Sequence, residues 1–167
     1  MTDVRAYLRY FQTLAAQHSS INDFFSMDIN EPLAALRDGI TYPALIVNSQ
    51  TGKFLAANND NTLDEIHGGF IIIDRMANHA DFSTEMLILQ GLKEIGTDII
   101  ARMHHDSLFV GAIQGFNVNS VTYQMIDGIF DSCAGFMFSF KITSPINLVY
   151  DPVKWSVPGI PVGRFIY

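Results

Sequence analysis

Residues 134–142 read Ala-Gly-Phe-Met-Phe-Ser-Phe-Lys-Ile, and this alternation decides the fold. Every second side chain from Phe136 to Ile142 is large and apolar, whereas Ser139 and Lys141 fall between them. Because successive side chains of a strand point to opposite faces, the pattern predicts a strand with one buried face. That face needs a covering layer.

The longest amphipathic segment, residues 81–105, supplies the cover. Asp81 or Ser83 can cap the start of a helix there, and His104 and His105 complement the negative end of its dipole. Its apolar stripe consists of Met86, Ile88, Leu89, Leu92, Ile95, Ile99, Ile100 and Met103. We therefore expect an α+β fold, in which helices cover one face of a mostly antiparallel sheet.

Two glycines interrupt this predicted helix. Gly91 and Gly96 each cost about 1 kcal/mol in helix propensity relative to alanine. We expect both to mark close packing against a strand or another subunit.

Further elements follow from local patterns. Apolar spacing predicts a helix over residues 3–16, and Pro32 and Gly39 frame a short helix over 31–39. We expect strands to begin only at Tyr42, with a hairpin that joins 43–47 to 53–56 through a turn at 48–52.

The second half of the chain is richer in strands. The continuous apolar run within residues 65–75 predicts a central strand that is buried on both faces. Residues 118–142 predict two or three more strands. We expect one domain over residues 1–167, since no linker or repeat divides it.

Residues 144–167 are predicted to form an extended, Pro-rich tail. Its prolines at 145, 152, 158 and 161 prevent a long helix or strand. The tail is nevertheless apolar, so it either wraps its own domain or docks on a neighbour. The side chains that we expect at a subunit interface are Tyr150, Trp155, Phe165 and Ile166.

Composition narrows the function classes. The 167 residues carry a formal net charge of −7 without a basic run, which argues against direct reading of nucleic acid. A single cysteine, no apparent leader and apolar runs shorter than about 20 residues predict a soluble, cytoplasmic protein without a membrane span. With 49% hydrophobic and 16% charged residues, the chain has either a large core or apolar surface that other subunits cover.

No motif predicts catalysis, a cofactor or a metal. The adjacent His104 and His105 point about 100° apart on a helix, so they cannot chelate one ion even with His79 or His67 nearby. Cys133 is expected to be a small buried residue. The candidate phosphate loops at 68–69 and 111–115 lack the required spacing, and close backbone approach is the favoured interpretation.

Carboxylates could in principle supply an acid and base pair. The candidates are Asp64, Glu65, Asp74, Asp127 and Asp131, and their spacing singles out no two of them. We expect the protein not to be an enzyme.

The order of elements resembles that of bacteriophage tail-terminator and head–tail joining proteins. The resemblance covers residues 3–145 and lies in the N-terminal helix, a hairpin with a long polar tip, a strong central strand at 65–75, a core helix and the aromatic strand at 135–142. It implies a structural subunit of a virion or phage-like particle, which forms a homo-oligomeric ring, commonly a hexamer. Such a ring caps the tail tube or joins it to the head and contacts other tail or connector proteins.

The alternative is a monomeric or dimeric domain that binds a small ligand. Its pocket would lie between sheet and helix and be lined by Met86, Phe136, Phe138 and Phe140. Native mass separates the two hypotheses, because only the first predicts a large closed oligomer.

Overall fold

In the part of the chain that the structure describes, the fold is an α+β sandwich of two helices on one face of a sheet. The computed structural model describes residues 4–27, 39–58, 61–76, 81–129, 132–146 and 148, and within them the sheet has six strands. The elements in chain order are α1 (Val4–Gln17), β1 (Asp23–Met27), β2 (Ala44–Asn48), β3 (Thr51–Asn58), β4 (Asn61–Arg75), α2 (Phe82–His105), a π-helical turn (Asp106–Val110), β5 (Phe116–Ile129) and β6 (Cys133–Ile146).

The strand order is β1-β2-β4-β6-β5, with β3 in line with β2 along the same side of β4. Every pairing is antiparallel except that of β1 with β2. The predicted α+β class with a mostly antiparallel sheet is confirmed. Residues 149–167 of the predicted tail, with Tyr150, Trp155, Phe165 and Ile166, lie outside the described residues, as do residues 31–38 of the predicted short helix.

The predicted hairpin between residues 43–47 and 53–56 is wrong. Val47 pairs with Phe70 and Thr51 pairs with His67, so the chain passes along β4 with one extra residue between these pairs. The polar residues at 48–50 thus form a β-bulge, a role for which the same residue types serve as well as for a turn. The hairpin is instead the one between β3 and β4, in which Asn58 pairs with Asn61.

The expectation that strands begin at Tyr42 is also wrong, because β1 precedes it. This strand has five residues, and its adjacent Phe24 and Phe25 obscure the alternation that marks a strand. Its partner β2 starts about 20 residues later in a parallel register, Asp23 opposite Ala44. Local pattern carries no information about such a pairing.

The predictions for the centre of the sheet are confirmed. Strand β4 pairs with β6 without interruption from Thr62 opposite Ile146 to Arg75 opposite Cys133. The alternation in β6 points Phe138, Phe140 and Ile142 at the helices, where all three are buried. They share one core with Tyr7, Phe11, Leu14, Leu45, Phe70, Ile72, Leu92, Ile95, Ile99 and Met103.

Helix α2 touches the sheet through a glycine. Gly96 lies directly over Phe138, and a methyl group at Gly96 would overlap the Phe138 ring. That ring in turn stacks on Phe70, with centroids 5.0 Å apart and planes 12° from parallel. Close packing against a strand is therefore confirmed at Gly96, whereas at Gly91 a methyl group would meet nothing within 4 Å in the same chain, so Gly91 does not pack against a strand.

Gly96→Ala and Gly91→Ala form a matched pair that tests this contact. Both substitutions gain the same helix propensity, about 1 kcal/mol, so the difference between them isolates the steric clash with Phe138. We expect Gly96→Ala to be about 1–3 kcal/mol less stable than Gly91→Ala. Chemical denaturation measures both free energies of unfolding, and equal values would show that α2 does not rest on Phe138.

Candidate functional site

An apolar groove opens between the first half of α2 and strands β5 and β6. We call it the α2 groove; its volume is about 630 Å³. It is lined by Phe82, Ser83, Met86, Leu87, Leu89, Gln90, Lys93, Met125 and Phe136. The groove is open to solvent along one side of the helix.

The groove exists because α2 is apolar on more sides than the sheet covers. The buried residues of α2 begin only at Leu92. Before that point Phe82 and Leu87 are 77% and 70% exposed, and Met86 is also exposed. Asp81 fixes the start of the helix, since its carboxylate accepts a hydrogen bond from the Thr84 amide at 2.8 Å.

Strands β5 and β6 form the other wall. Met125 is exposed, and Phe136 is half-buried at the end of the aromatic face of β6. Beside them Lys93 places its Nζ atom 4.7 Å from the centre of the exposed Tyr123 ring. The groove thus has an apolar floor and one cation at its edge.

A second apolar surface lies beyond the other end of α2. The π-helical turn Asp106–Val110 exposes three consecutive apolar side chains, Leu108, Phe109 and Val110. We call these three residues the apolar turn. Gly111 ends it in the left-handed conformation at φ 72°, and its amide donates to the carbonyl of Asp106 at 2.8 Å.

Asp106 anchors the apolar turn from beneath. Its carboxylate, which is buried, accepts hydrogen bonds from the Tyr10 hydroxyl at 3.0 Å and from Arg102 Nε at 2.8 Å. Burial alone would raise the pKa of Asp106, but hydrogen bonds from His105, Arg102 and Tyr10 hold that pKa below its usual range. The charged side chain thereby ties α1 to the end of α2.

The opposite face of the sheet carries a polar cluster around Glu65. Its Oε1 atom lies 2.7 Å from His67 Nε2, 3.3 Å from Lys53 Nζ and 3.5 Å from Lys141 Nζ. The hydrogen bond with His67, together with the two lysines, lowers the pKa of Glu65 from 4.5 to about 2. Asp64, its neighbour in β4, points to the other face, so the two carboxylates do not form a pair.

The other residues considered for a metal or catalytic site have structural roles or lie outside the described residues. His104 and His105 occupy the last turn of α2, as predicted. Cys133 is buried, as predicted, with its Sγ 3.3 Å from the Tyr42 hydroxyl. His79 and Asp131 lie outside the described residues, and within the described part no group of three or more His, Cys, Asp or Glu side chains could hold a metal.

The two glycine segments are sites of close backbone approach, as predicted. The absent side chain of Gly68 leaves room for the Tyr7 hydroxyl, which accepts a hydrogen bond from the Gly69 amide at 3.2 Å. Gly115 lies against the Thr143 backbone, whose amide donates to its carbonyl at 2.9 Å. Both contacts join neighbouring layers or strands.

Most of the exposed apolar surface was not predicted from the sequence. The expected place of Met86 in the core stripe is wrong, because Met86 lines the open groove between α2 and strands β5 and β6 and is exposed. The signal was Leu87, which makes this half of the helix apolar all round, a pattern that requires burial on every side. The run Leu108-Phe109-Val110 directly after the helix was a second such signal.

Comparisons with known proteins add no assignment. The chain matches no family model and no curated protein sequence. None of the helices in the described part of the chain is long and apolar enough to cross a membrane. The features that bear on function are therefore the exposed surfaces of the molecule, the α2 groove and the apolar turn.

The Glu65 cluster predicts a pH dependence of stability. Because the pKa of Glu65 is lower in the folded state, its ionised form stabilises the fold above about pH 4.5, and this contribution is lost as the pH falls towards 2. We expect the stability difference between the wild type and Glu65→Gln to shrink over that range. Denaturation at several pH values measures it, with Glu94→Gln on the exposed side of α2 as the control. A difference that does not change with pH would contradict the ion cluster.

Proposed function

We propose that the chain is a structural subunit of a phage or phage-like tail, which assembles into a ring that terminates the tail tube or joins it to the head. The observation that carries this proposal is the exposed apolar surface at both ends of α2, in a domain whose core is otherwise well packed. Exposure of the apolar groove and the apolar turn to water is unfavourable, and another protein can cover both surfaces.

The number of exposed apolar side chains supports association with another protein. Burying a Phe, Leu or Met side chain stabilises a complex by about 1.5–3 kcal/mol, and monomeric proteins rarely leave such residues exposed in one patch. Phe82, Met86 and Met125 are of the types that are enriched at interfaces. Their concentration around one groove favours a protein partner.

The edge of the sheet offers a second contact. Strand β5 runs over 14 residues and pairs on one side with β6; among the described strands none covers its other side. Between Asn117 and Thr122 it carries three more residues than β6 does, a bulge that limits pairing to part of the edge. Edge pairing between copies would add to contacts made by the helix.

The phage assignment depends on the resemblance in element order. Helix α1, the central β4, the core helix α2 and the aromatic β6 occur in the order on which the resemblance rests, whereas the hairpin expected between residues 43–47 and 53–56 does not form. The net charge of −7 fits a ring through which DNA passes, because like charge repels phosphate. Other tail or connector proteins are the partners that such a ring would contact.

A structural role also fits two of the described carboxylates. Glu65 is neutralised by cations and Asp106 is fully engaged in holding α1 to α2. Both are used to stabilise the fold, and we propose that the subunit is not an enzyme.

The second candidate, a small-ligand domain, draws on the same groove. Its volume of about 630 Å³ is in the range of ligand pockets. Of the four residues expected to line a pocket, Met86 and Phe136 line the groove, while Phe138 and Phe140 are packed in the core. Under this hypothesis the protein would remain a monomer or dimer.

Native mass tests the proposed function. Sedimentation of the full chain at about 100 µM, where mass action favours association, should give a closed oligomer larger than a dimer. A monomer should be mixed with a preparation of tail tube, which can act as the template for the ring. Failure to associate in both settings would overturn the ring and favour the small-ligand domain.

A truncated chain tests the predicted role of the C-terminal tail in assembly. Deleting residues 151–167 removes Trp155, Phe165 and Ile166, and should weaken the oligomer without unfolding the sheet. Sedimentation measures the first effect and circular dichroism the second. An oligomer that is unchanged by the deletion would contradict a role of the tail in assembly.

A further inference from the structure

We propose that the sheet face opposite the helices binds a small organic anion, in which a phosphate or carboxylate group is joined to a hydroxyl-bearing body. A trough of about 430 Å³ lies on this face over the middle of β4 and β6, and we call it the sheet trough. Its lining includes Asn48, His67, Gly69, Thr122, Ser139 and Lys141. Neither the α2 groove nor the apolar turn belongs to it, so the ligand site is independent of the ring.

The floor of the trough lies low because Gly69 has no side chain. Gly69 is paired with Ser139 of β6, and Ser139 is paired with Thr122 of β5. A methyl group at Gly69 would lie 3.6 Å from Asn48 Nδ2 and 3.7 Å from Ser139 Oγ. An amide donor and a hydroxyl donor therefore converge on the space that the missing side chain leaves. A ligand oxygen in that space has both donors within reach.

Two irregular segments of the sheet form the sides of the trough. On one side is the bulge at residues 48–50, and on the other is the bulge of β5 between Asn117 and Thr122. The second bulge is fixed beside Lys141, because the Ser120 hydroxyl donates to the Asn117 carbonyl at 2.6 Å and accepts from the Lys141 amide at 2.9 Å. Bulges are common beside functional sites, where they redirect side chains.

The trough offers hydroxyl groups that the protein itself does not use. In the described part of the chain the hydroxyls of Thr51, Thr122 and Ser139 have no hydrogen-bond partner, and all three line the trough at exposed positions. A hydroxyl both donates and accepts, so it matches a hydroxyl of a ligand as well as an anionic oxygen. These groups favour a ligand with a hydroxyl-bearing body.

The charged groups at one end of the trough favour an anion. No acidic side chain lines the trough, whereas Lys141 and His67 do. The Lys141 ammonium lies 3.5 Å from Glu65 and the Lys53 ammonium lies 3.3 Å from it, so two lysines face one carboxylate. The two lysine side chains are 43% and 56% exposed, which leaves ammonium donors for a second anion.

The other charges on this face do not cancel that excess. Among the described strands, alternation also places Asp23 of β1 and Arg75 of β4 there, and these two opposite charges offset each other. With His67 neutral, this face of the described strands carries one net positive charge, on a chain whose formal net charge is −7. A locally positive site attracts anions.

Calorimetric titration tests the site. Glucose 6-phosphate is the probe, because it joins a phosphate to a hydroxylated ring, and gluconate carries a carboxylate instead. Glucose and inorganic phosphate test the body and the head group alone, and all four are titrated into the full chain at one ionic strength. We expect saturable binding of glucose 6-phosphate or gluconate, about tenfold tighter than that of glucose or inorganic phosphate. No saturable binding of either organic anion, or equal binding of inorganic phosphate, would overturn the proposal.

Variants locate the ligand in the trough. Lys141→Gln removes a cation and should weaken binding about tenfold, and Ser139→Leu fills the trough from an exposed position and should abolish binding. Arg9→Gln is the matched control, since it removes the same charge from an exposed position of α1 and should bind as the wild type does. Equal weakening by Lys141→Gln and Arg9→Gln would show a general effect of charge and contradict the site.

A second pair of variants tests the competition between the ligand and Glu65. Glu65→Gln frees Lys53 and Lys141 from their carboxylate, so it should tighten binding. Glu94→Gln removes the same charge from an exposed position of α2 and should leave the affinity unchanged. An affinity that does not rise in Glu65→Gln would show that the two lysines do not meet the ligand, and the proposal would be wrong.

Discussion

The contact of Gly96 with Phe138 is the constraint on which the rest of the structure depends. It lets α2 approach the sheet near the middle of the helix, where Phe138 is held by its stack on Phe70. Because a helix is rigid over 24 residues, fixing its middle also fixes both ends. The first turns then rise beside β5 and β6 as one wall of the groove, and the last turn carries the apolar turn away from the core. The core packing and the position of the candidate assembly surface thus both depend on this contact.

The two faces of the sheet also differ in chemistry, because successive side chains of each strand point to opposite faces. On the helix side the sheet contributes an aromatic core, and the uncovered parts of that layer are apolar. On the other side, Glu65 gathers Lys53, His67 and Lys141 into an ion cluster that water can solvate at its edge. A second buried apolar cluster also lies on this side of the sheet, formed by Ala44, Ile46, Ile73 and Cys133. The proposed assembly uses the helical layer and the edge of the sheet.

The sequence predicted the elements whose signals are local. The alternation in β6, the capped start of α2 and the long apolar run of β4 each have a period or a boundary residue that the chain itself displays. It failed at β1 and at the bulge before Thr51, because a parallel pairing and a register shift depend on distant partners. At the candidate site, helical periodicity correctly placed Met86 on the apolar stripe of α2, but it did not predict that Met86 is exposed. Which side of a helix stays uncovered depends on where the sheet ends, and only Leu87 hinted at it.

The central proposal is that copies of this chain assemble into a closed ring through the exposed apolar surfaces at the two ends of α2. An electron cryo-microscopy map of the assembled protein tests it most directly, because it shows which surfaces face each other. The account predicts a ring in which residues 108–110 and residues 82–93 of each copy are buried against neighbouring subunits. A two-fold dimer, or a ring in which both ends of α2 face solvent, would contradict it.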